Sequence, residues 1–347
     1  MKEDKKETIK RKKDHIELCL NEDVGFSSVT NGFDKYEFEH YAITEVDYNE
    51  ISLKTKFLNH KIDFPFLISC MTGGTTEAEK INEHLAIAAS QLNIPIGVGS
   101  QRQALESNEH YKSYQAIKEN AGDVPILSNI GAAQVASIKN ISQYKKIIEL
   151  VNASVLVIHV NPLQELIQHK GEPNFTGLLK NISKLVKNLD VPVFVKEVGS
   201  GISKTAAKKL LETGVKGIDV AGAGGTSWAQ VELKRNKEEN EYFRNWGLPT
   251  SYCLNQIRPL KKKYKFTLIA SGGITNGIEI AKAIALGADL AASARPILQT
   301  VMKGGVESVC SLIQNWFDDV KKIMYLTGCR NLKDLASKKL LRKSEIY

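Results

Sequence analysis

The stretch Asp219-Val-Ala-Gly-Ala-Gly-Gly-Thr-Ser-Trp228 decides the fold. It begins inside an apolar run, 217–221, which predicts a buried strand, and continues directly into a loop of three glycines, a Thr and a Ser. Glycine lets backbone N–H groups approach a ligand closely, because it has no Cβ and accepts positive φ. The same construction recurs at 268–274 and 288–294. Three such strand ends predict one anionic ligand held by main-chain donors, although ordinary strand-to-helix turns remain the alternative for each of them.

Apolar runs of similar length recur along the chain and predict a parallel sheet. Each run is continuous, as expected for strands buried on both faces, and amphipathic helical patterns lie between them. Eight strand–helix units favour an α/β fold, a closed (β/α)8 TIM barrel, over an open doubly wound sheet, since no Gly-x-Gly-x-x-Gly follows the first strand. The predicted strands are 64–71, 94–100, 124–130, 154–160, 191–198, 217–221, 266–272 and 288–294, and the predicted helices are 77–92, 142–151, 176–189, 203–214 and 276–287.

The regular pattern begins near residue 61 and divides the chain into two parts. We expect residues 1–60 to form an N-terminal extension with a basic arm, and residues 61–347 to form one barrel domain. Residues 226–250 are expected to form a long loop after the sixth strand, and loops of this length are usually lids or disordered. The tail from 305 to 347 is expected to be helical.

Composition limits the classes of function. The chain of 347 residues carries a net charge of +8, which suits nucleic acid or phosphorylated metabolites as partners. Its lysines are spread along helices without interleaved aromatic residues, so nucleic-acid binding is not expected. No run of about 18 apolar residues predicts a membrane span, and the basic N-terminus lacks the apolar segment of a secretory signal. Five scattered cysteines without metal-ligand spacing are typical of free thiols in a cytoplasmic protein.

Polar residues at the C-terminal ends of the predicted strands mark the expected site, because barrel enzymes bind their ligands there. The loops after the seventh and eighth strands, 271–274 and 293–294, occupy the usual phosphate position of such barrels. Lys196 could be a Schiff-base nucleophile or the partner of an anion, and we favour the anion partner. A pair with Glu197 is not expected, since adjacent strand residues face opposite ways. The remaining polar strand ends are Met71 to Gly73, Ser100 to Arg102, Ser128-Asn129, His159 to Asn161 and Gly224 to Thr226.

Several of these residues also have structural explanations. His159 could be a core histidine, and Glu165 could be a solvated carboxylate instead of a metal ligand. Arg102 could clamp a diphosphate together with Arg11 and Lys12, or the last two could belong to a solvated basic tail. The sequence contains no catalytic triad, no P-loop and no His-Glu-x-x-His. A phosphate pocket without such groups suggests that a cofactor supplies the chemistry.

Eight motifs, in this order along the chain, resemble the type 2 isopentenyl-diphosphate isomerases. The resemblance covers residues 11 to about 298 and implies an FMN- and Mg²⁺-dependent isomerase of isoprenoid biosynthesis, which interconverts isopentenyl and dimethylallyl diphosphates. It also implies that NADPH keeps the flavin reduced and that the enzyme is a homo-oligomer. The motifs are Arg11-Lys-x-x-His15, Met71-Thr-Gly-Gly-Thr75, Gly99-Ser-Gln-Arg102, Ser128-Asn-Ile-Gly-Ala132, His159-x-Asn-Pro-Leu-Gln-Glu165, Lys196-Glu-Val-Gly199, Ala221-Gly-Ala-Gly-Gly-Thr-Ser-Trp228 and Ser271-Gly-Gly-Ile274.

The resemblance implies roles for individual residues. Gln164 would orient the proton in an allylic shift in which reduced flavin is the acid–base group, and Glu232 would belong to the same network. Trp228 would shield the cationic intermediate or pack beneath the prenyl group, although the sequence alone allows it to anchor the long loop instead. Glu165 would hold Mg²⁺ against the diphosphate. The substrate ligands would be Arg11, Lys12, Ser100, Arg102, His159 and Gln164, and the FMN contacts Met71, Thr72, Gly73, Ser100, Asn129, Lys196, Thr226, Gly272, Gly273, Ile274, Ser293 and Ala294.

Two segments depart from the family pattern. Gln168-His-Lys-Gly-Glu172 stands where the family more often has Gln-Pro-Glu-Gly-Asp, which adds positive charge near an anionic substrate, and Ala292-Ser-Ala294 replaces Gly-Met-Ala. The alternative enzyme is an FMN-dependent 2-hydroxy-acid oxidase, but residues 221–226 lack the His-Gly-x-Arg-Gln stretch that supplies its base. The non-enzyme alternative is a flavin-free barrel that binds nucleic acid through its basic arm.

Overall fold

Eight parallel strands close into a barrel. The computed structural model describes residues 2–238 and 242–346. Each barrel strand pairs with the next in the chain, and the last pairs with the first to close the ring. The predicted TIM barrel and its eight strands are confirmed. Three short strands come first, β1 (Tyr36–Glu37), β2 (Thr55–Phe57) and β3 (His60–Ile62), and the barrel comprises β4 (Phe66–Ile68), β5 (Ile96–Gly97), β6 (Ile126–Gly131), β7 (Val155–His159), β8 (Val193–Lys196), β9 (Gly217–Asp219), β10 (Thr267–Ala270) and β11 (Leu290–Ser293).

The interior of the barrel is a packed apolar core that is plugged by a hairpin. Phe57 of β2 and Ile62 of β3 belong to the same buried cluster as residues at the starts of β7 and β11, Val155 and Leu290. The Phe57 ring meets the Phe194 ring edge-on at 6.0 Å. Since the hairpin fills the N-terminal end of the barrel, the C-terminal end is the one that is left for ligands.

Helices surround the barrel, and the five predicted helices are all present with small differences at their ends. These helices form because their apolar faces cover the outside of the strands and because polar residues cap their first turns. Ser203 and Asn276, for example, accept hydrogen bonds from backbone N–H groups at the starts of two of them. The helices are α1 (Lys2–Asn21), α2 (Thr76–Gln91), α3 (Arg102–Glu106), α4 (Tyr111–Asn120), α5 (Ala132–Ala136), α6 (Ser142–Val151), α7 (Pro162–Ile167), α8 (Leu178–Asn188), α9 (Lys204–Glu212), α10 (Trp228–Asn236), α11 (Thr250–Ile257), α12 (Gly277–Ala285), α13 (Arg295–Leu326) and α14 (Leu332–Ser337).

The prediction of a long loop over 226–250 is wrong in its first part, which forms α10. Ser227 caps this helix by accepting a hydrogen bond from the backbone of Gln230, and Val231 and Leu233 are buried. The many charged residues that follow obscured the apolar face in the sequence. Part of the remainder, residues 239–241, lies outside the described residues.

The N-terminal extension is held against the barrel near the mouth. The helix α1 packs on α10 and α13. Its C-terminal end is fixed by Arg295, which donates to the carbonyl oxygens of Cys19 at 2.9 Å and Glu22 at 2.8 Å. These bonds satisfy terminal carbonyl groups that a helix leaves without partners.

The C-terminal tail is helical for most of its length, as expected, but not to its end. A last strand, β12 (Leu341–Arg342), pairs antiparallel with β1 and so joins the C-terminal tail to the N-terminal extension. The long helix α13 is interrupted at Gly304 and Gly305, whose dihedral angles are not helical. Among residues 2–238 and 242–346, no helix is both long enough and apolar enough to cross a membrane.

Candidate active site

A cavity of about 640 Å³ opens at the C-terminal ends of the barrel strands. This volume is within the range that small-molecule and cofactor sites usually occupy. Glu232 is the one predicted site residue that lies behind the lining and not in it. The predicted residues that do line the cavity are Arg11, Lys12, Met71, Thr72, Gly73, Ser100, Arg102, Asn129, His159, Gln164, Glu165, Lys196, Thr226, Trp228, Gly272, Gly273, Ile274, Ser293 and Ala294.

The glycine-rich ends of β9 and β10 pack directly on each other. A Cβ atom on Gly272 would lie 2.1 Å from the carbonyl oxygen of Gly222, and one on Gly225 would lie 2.5 Å from the backbone nitrogen of Gly273. Gly272 also has a φ of 102°, which other residues rarely adopt. Within the described part of the chain, the N–H groups of Gly272 and Gly273 have no hydrogen-bond acceptor. Both donors are therefore available to an anionic group in the cavity.

The eighth strand end closes this side of the cavity. Ser293 donates its hydroxyl to the carbonyl oxygen of Ile274 at 2.8 Å, so the side chain joins the seventh and eighth loops. A phosphate at this position would meet the backbone of 293–294 and not a free Ser293 hydroxyl.

His159 is a neutral side chain with a fixed tautomer. Its Nδ1 atom lies 2.8 Å from Oδ1 of Asn129. Burial, followed by the charges of Lys196 and Lys12, lowers the pKa of His159 to about 3. With a carboxamide oxygen as its partner, Nδ1 carries the proton and Nε2 is left as an acceptor.

Lys196 at the end of β8 remains a candidate anion partner. Its Nζ donates to the backbone oxygen of Glu197 at 2.7 Å, whereas the Glu197 carboxylate turns away and accepts the N–H groups of Val198 and Gly199 at 2.7 Å each. No ion pair joins the two side chains in the described structure, as their alternation along the strand predicts. The buried Asp219 lies nearby, and burial raises its pKa above the usual value although the charge of Lys196 partly offsets this rise.

Lys12 lies deeper than a solvated arm would allow. Its Nζ donates to the backbone oxygen of Gly73, lies 3.4 Å from that of Ser100 and lies 3.3 Å from the hydroxyl of Tyr114. Burial, and then the charge of Arg11, lowers the pKa of Lys12 to about 7. The solvated-tail alternative is therefore wrong for Arg11 and Lys12, since α1 carries both into the cavity wall.

Glu232 is the centre of a buried hydrogen-bond network. Its Oε1 lies 2.9 Å from Nε2 of His15 and accepts from Nε2 of Gln164 at 3.0 Å, while its Oε2 accepts from Arg235 at 2.5 Å. Burial alone would raise the pKa of Glu232, but His15, and then Gln164 and Arg235, lower it to about 2. Glu232 is thus ionised and holds Gln164 at the cavity wall, where the Gln164 oxygen accepts from Asn161 at 3.2 Å.

Two further side chains extend this network. Gln168, with its amide oriented to satisfy both neighbours, donates to Glu232 Oε1 at 3.2 Å and accepts from Arg11 Nη1 at 2.8 Å. Trp228 lines the cavity at the start of α10, and its ring meets the edge of the His15 ring at 5.0 Å. The helices α1 and α10 are therefore joined by a polar and an aromatic contact beside the same cavity.

Glu172 connects Glu165 to Arg102, because it forms a hydrogen bond with each of them. The carboxylate of Glu165 accepts from Asn161 Nδ2 at 3.0 Å and from the backbone nitrogen of Glu172 at 2.7 Å. The Glu172 carboxylate accepts from Arg102 at 2.7 Å. Among the described residues, no group of three or more His, Cys, Asp or Glu side chains could hold a metal ion. A cation bound at Glu165 would need further oxygen ligands from the substrate or water.

Sequence reasoning gave no role to His15, Gln168 or Glu172. His15 follows Arg11 by four residues and so shares its helix face, which is a signal that the basic arm is helical and buried. Gln168 and Glu172 bracket the segment that departs from the family pattern. The expectation for that segment rested on the positive charge of 169–170, whereas the residue that contacts Arg102 is the acidic Glu172.

Comparisons of the sequence with known proteins find one matching family profile and relatives that align over nearly the whole chain. A profile of the FMN-dependent dehydrogenase family matches residues 5–113 and 138–343. The isopentenyl-diphosphate delta-isomerase of Chlorobium phaeobacteroides is 44% identical over 351 residues, which cover 97% of this chain and 96% of that protein. The protein of the same name from Nostoc sp. is 43% identical and covers 96% and 95%. The chain belongs to the isopentenyl-diphosphate delta-isomerase family. The family expected from the motifs, and its classification as an isomerase, are confirmed.

Solved structures similar to this isomerase family member share its fold. A mutant flavocytochrome b2 with pyruvate bound has a TM-score of 0.71 at 18% identity and covers 96% of this chain and 83% of that one. The lactate oxidase of Pediococcus acidilactici has a TM-score of 0.66 at 15% identity, with 96% and 93% covered. At this level of identity the likeness extends to the barrel and not to the reaction.

Proposed function

We propose that this chain is an FMN- and Mg²⁺-dependent isomerase that interconverts isopentenyl and dimethylallyl diphosphates. The observation that carries the proposal is one cavity in which glycine donors, a cluster of cations and an amide–carboxylate network lie side by side. Relatives at 44% identity carry the name of this activity. Each part of the cavity suits one part of the chemistry.

The glycine loops suit the phosphate of FMN. The unpaired N–H groups of Gly272 and Gly273 would bind it, with Thr226, Ile274 and the backbone of 293–294 around it. A side chain at Gly272 would fill the space between the loops, so their close packing fits a cradle for a phosphate. The residues proposed to surround the flavin ring are Met71, Thr72, Gly73, Ser100, Asn129 and Lys196. Bound and reduced, the flavin would supply an acid–base group for the alkene, which ordinary side chains protonate poorly.

Cations on two elements suit the substrate diphosphate. Arg11 of α1 and Arg102 of α3 line the same cavity, and the charge of Arg102 contributes to a lowered pKa of Arg11, after burial. Two close guanidinium groups repel each other until a multiply charged anion lies between them. Lys12 would act from the base of the cluster. Neutral His159 offers a lone pair at Nε2, so it would gain a proton as the diphosphate binds.

We assign the metal-binding and proton-transfer roles to residues at the start of α7. Mg²⁺ is commonly bound through one or two carboxylates and substrate phosphates, and Glu165, which belongs to no group of three or more metal-ligating side chains among the described residues, fits that pattern. Gln164, held by Glu232, would orient the proton at the substrate alkene. Trp228 would shield the developing cation from water.

An omission assay tests the proposal. The protein would be mixed anaerobically with FMN, Mg²⁺, NADPH and isopentenyl diphosphate, and each component would be left out in turn. Dimethylallyl diphosphate that forms only with reduced flavin and metal is the expected result. If the protein binds FMN but forms no product, the substrate assignment is wrong; if it binds no FMN, the cofactor assignment is wrong.

The two alternatives make different predictions. A 2-hydroxy-acid oxidase would reduce its FMN with lactate or mandelate, but residues 221–226 contain no ionisable side chain to act as the base. A nucleic-acid-binding barrel would need a free basic arm, and Arg11 and Lys12 are instead part of the cavity wall. A colourless protein with salt-dependent affinity for RNA or DNA would favour that second alternative.

We also predict that the enzyme is a homo-oligomer and that it is cytoplasmic.

A further inference from the structure

The segment 170–172 bridges the residues that we assign to the diphosphate and to the metal. The Glu172 carboxylate accepts from Arg102 Nη2 at 2.7 Å through Oε1 and from Gln134 Nε2 at 2.9 Å through Oε2. The backbone nitrogen of the same residue donates to Glu165 Oε2 at 2.7 Å. One residue therefore gives Arg102 an anion and gives Glu165 a hydrogen-bond donor.

The backbone of this segment is pressed closely against α7. A Cβ atom on Gly171 would lie 2.0 Å from the carbonyl oxygen of Glu165, so no larger residue could make the same approach. Lys170 adopts a φ of 56°, which is uncommon for a residue with a side chain. The close approach puts the N–H of Glu172 on the Glu165 carboxylate, and withdrawal of the segment would release Glu165 and Arg102 together.

Both contacts oppose the ligands that we assign to the site. Arg102 is paired with two carboxylates, Glu172 at 2.7 Å and Glu106 at 3.2 Å, and both counteract burial and raise its pKa. A diphosphate that approaches Arg102 meets the negative charge of Glu172 at the same guanidinium. A cation that approaches Glu165 meets the positive end of the Glu172 N–H at Oε2, while Oε1 already accepts from Asn161, so each oxygen carries a donor that competes with the metal for its electron density.

We propose that Glu172 is an internal substitute for the substrate diphosphate, and that its release couples diphosphate binding to Mg²⁺ binding. Without substrate, Glu172 neutralises Arg102 and caps Glu165. When the diphosphate replaces the Glu172 carboxylate on Arg102, the backbone N–H leaves Glu165, whose oxygen then becomes free for the metal. This inference rests on the proposed function and deepens it, since it adds a residue that controls access to the site.

Binding of inorganic pyrophosphate to the full-length, FMN-loaded protein tests the coupling. Calorimetry would give its affinity with and without Mg²⁺ for the wild type, Glu172→Gln and Glu106→Gln. Without metal, Glu172→Gln is expected to bind pyrophosphate roughly two- to fivefold more tightly, which is the size expected for a partly exposed ion pair. The factor by which Mg²⁺ strengthens binding is expected to fall in Glu172→Gln and to stay at the wild-type value in Glu106→Gln. The control also removes one carboxylate from the Arg102 guanidinium, but Glu106 belongs to α3, so its release from Arg102 moves no backbone donor away from Glu165.

Hydrogen exchange of the Glu172 amide gives a second readout. We expect this amide to be protected in the free protein and to exchange faster when pyrophosphate and Mg²⁺ are bound. An equal Mg²⁺ factor in the wild type and Glu172→Gln, or an amide that exchanges no faster with both ligands present, would overturn the coupling while leaving the proposed function intact. Failure of the wild type and both variants to bind pyrophosphate would instead reject the diphosphate site itself.

Discussion

Replacement of Glu232 by Gln tests whether its ionised carboxylate holds the two sides of the active site together. The carboxylate has no exposed surface and accepts from His15 of α1, Gln164 of α7 and Arg235 of α10. An amide in its place keeps the shape, but it removes the charge and turns an NH₂ group toward donors. Arg235, which has 11% of its side chain exposed, would lose its buried carboxylate partner and keep only the more distant Asp14 at 3.6 Å, and removing one member of a buried pair is costly.

The size of the effect follows from the pKa of Glu232. Its fall from 4.5 to about 2 corresponds to roughly 3 kcal/mol of stability at neutral pH, since each pKa unit equals about 1.4 kcal/mol. Because the pKa is lower in the folded protein, this contribution is fully present above pH 4.5 and disappears as the pH falls toward 2. The loss in Glu232→Gln should therefore be largest at neutral pH and less than half as large near pH 3.

Urea unfolding of the wild type and of Glu232→Gln at pH 7 and at pH 3 is the appropriate measurement. Glu22→Gln is the matched control, because Glu22 also pairs with a residue of α10, Lys234 at 2.7 Å, but has about half of its side chain exposed. This control should lose less than about 1 kcal/mol. A loss in Glu232→Gln no larger than that of the control, or one independent of pH between 7 and 3, would refute the reasoning.

Three further substitutions test the other parts of the site. Gln164→Asn shortens the side chain that Glu232 holds and should cut turnover at least tenfold while FMN, followed by its absorbance, stays bound; unchanged turnover would reject the role of Gln164. Glu165→Gln should raise the Mg²⁺ concentration for half-maximal activity at least tenfold with little change in thermal stability, and a wild-type Mg²⁺ titration would contradict the metal assignment. Gly272→Ala should abolish retention of FMN during gel filtration, because its Cβ would collide with backbone. Gly177→Ala is the control for it, since that position also has positive φ but nothing within 4 Å, and it should cost about 1 kcal/mol and keep its flavin.

The sequence was sufficient to predict the barrel because buried parallel strands and their helices produce recognisable patterns among neighbouring residues. Each strand is a continuous apolar run, each helix has an apolar face, and the order of the two along the chain leaves few closed arrangements. The same patterns located the mouth of the barrel, since the polar residues and glycines that follow parallel strands must lie together at the C-terminal end of the barrel. Local patterning failed over 226–250, where the apolar face of α10 consists of few residues and charged residues follow directly. It failed also for the basic arm, since a run of lysines has the same composition whether it is solvated or buried.

The pairing of side chains from distant segments was decided by the tertiary structure alone. Nothing near Glu232 in the sequence indicates that His15 and Gln164 share its carboxylate, because the three residues come from separate helices that meet only when the barrel closes. Glu172 likewise reaches Arg102 across 70 residues of chain. Hydrophobic periodicity is a property of neighbouring residues and is therefore visible in the sequence, whereas a hydrogen bond depends on where two segments are placed in space. The sequence by itself thus determined the barrel, its mouth and the glycine-rich loops that line it, and the folded structure determined which charges and amides meet there.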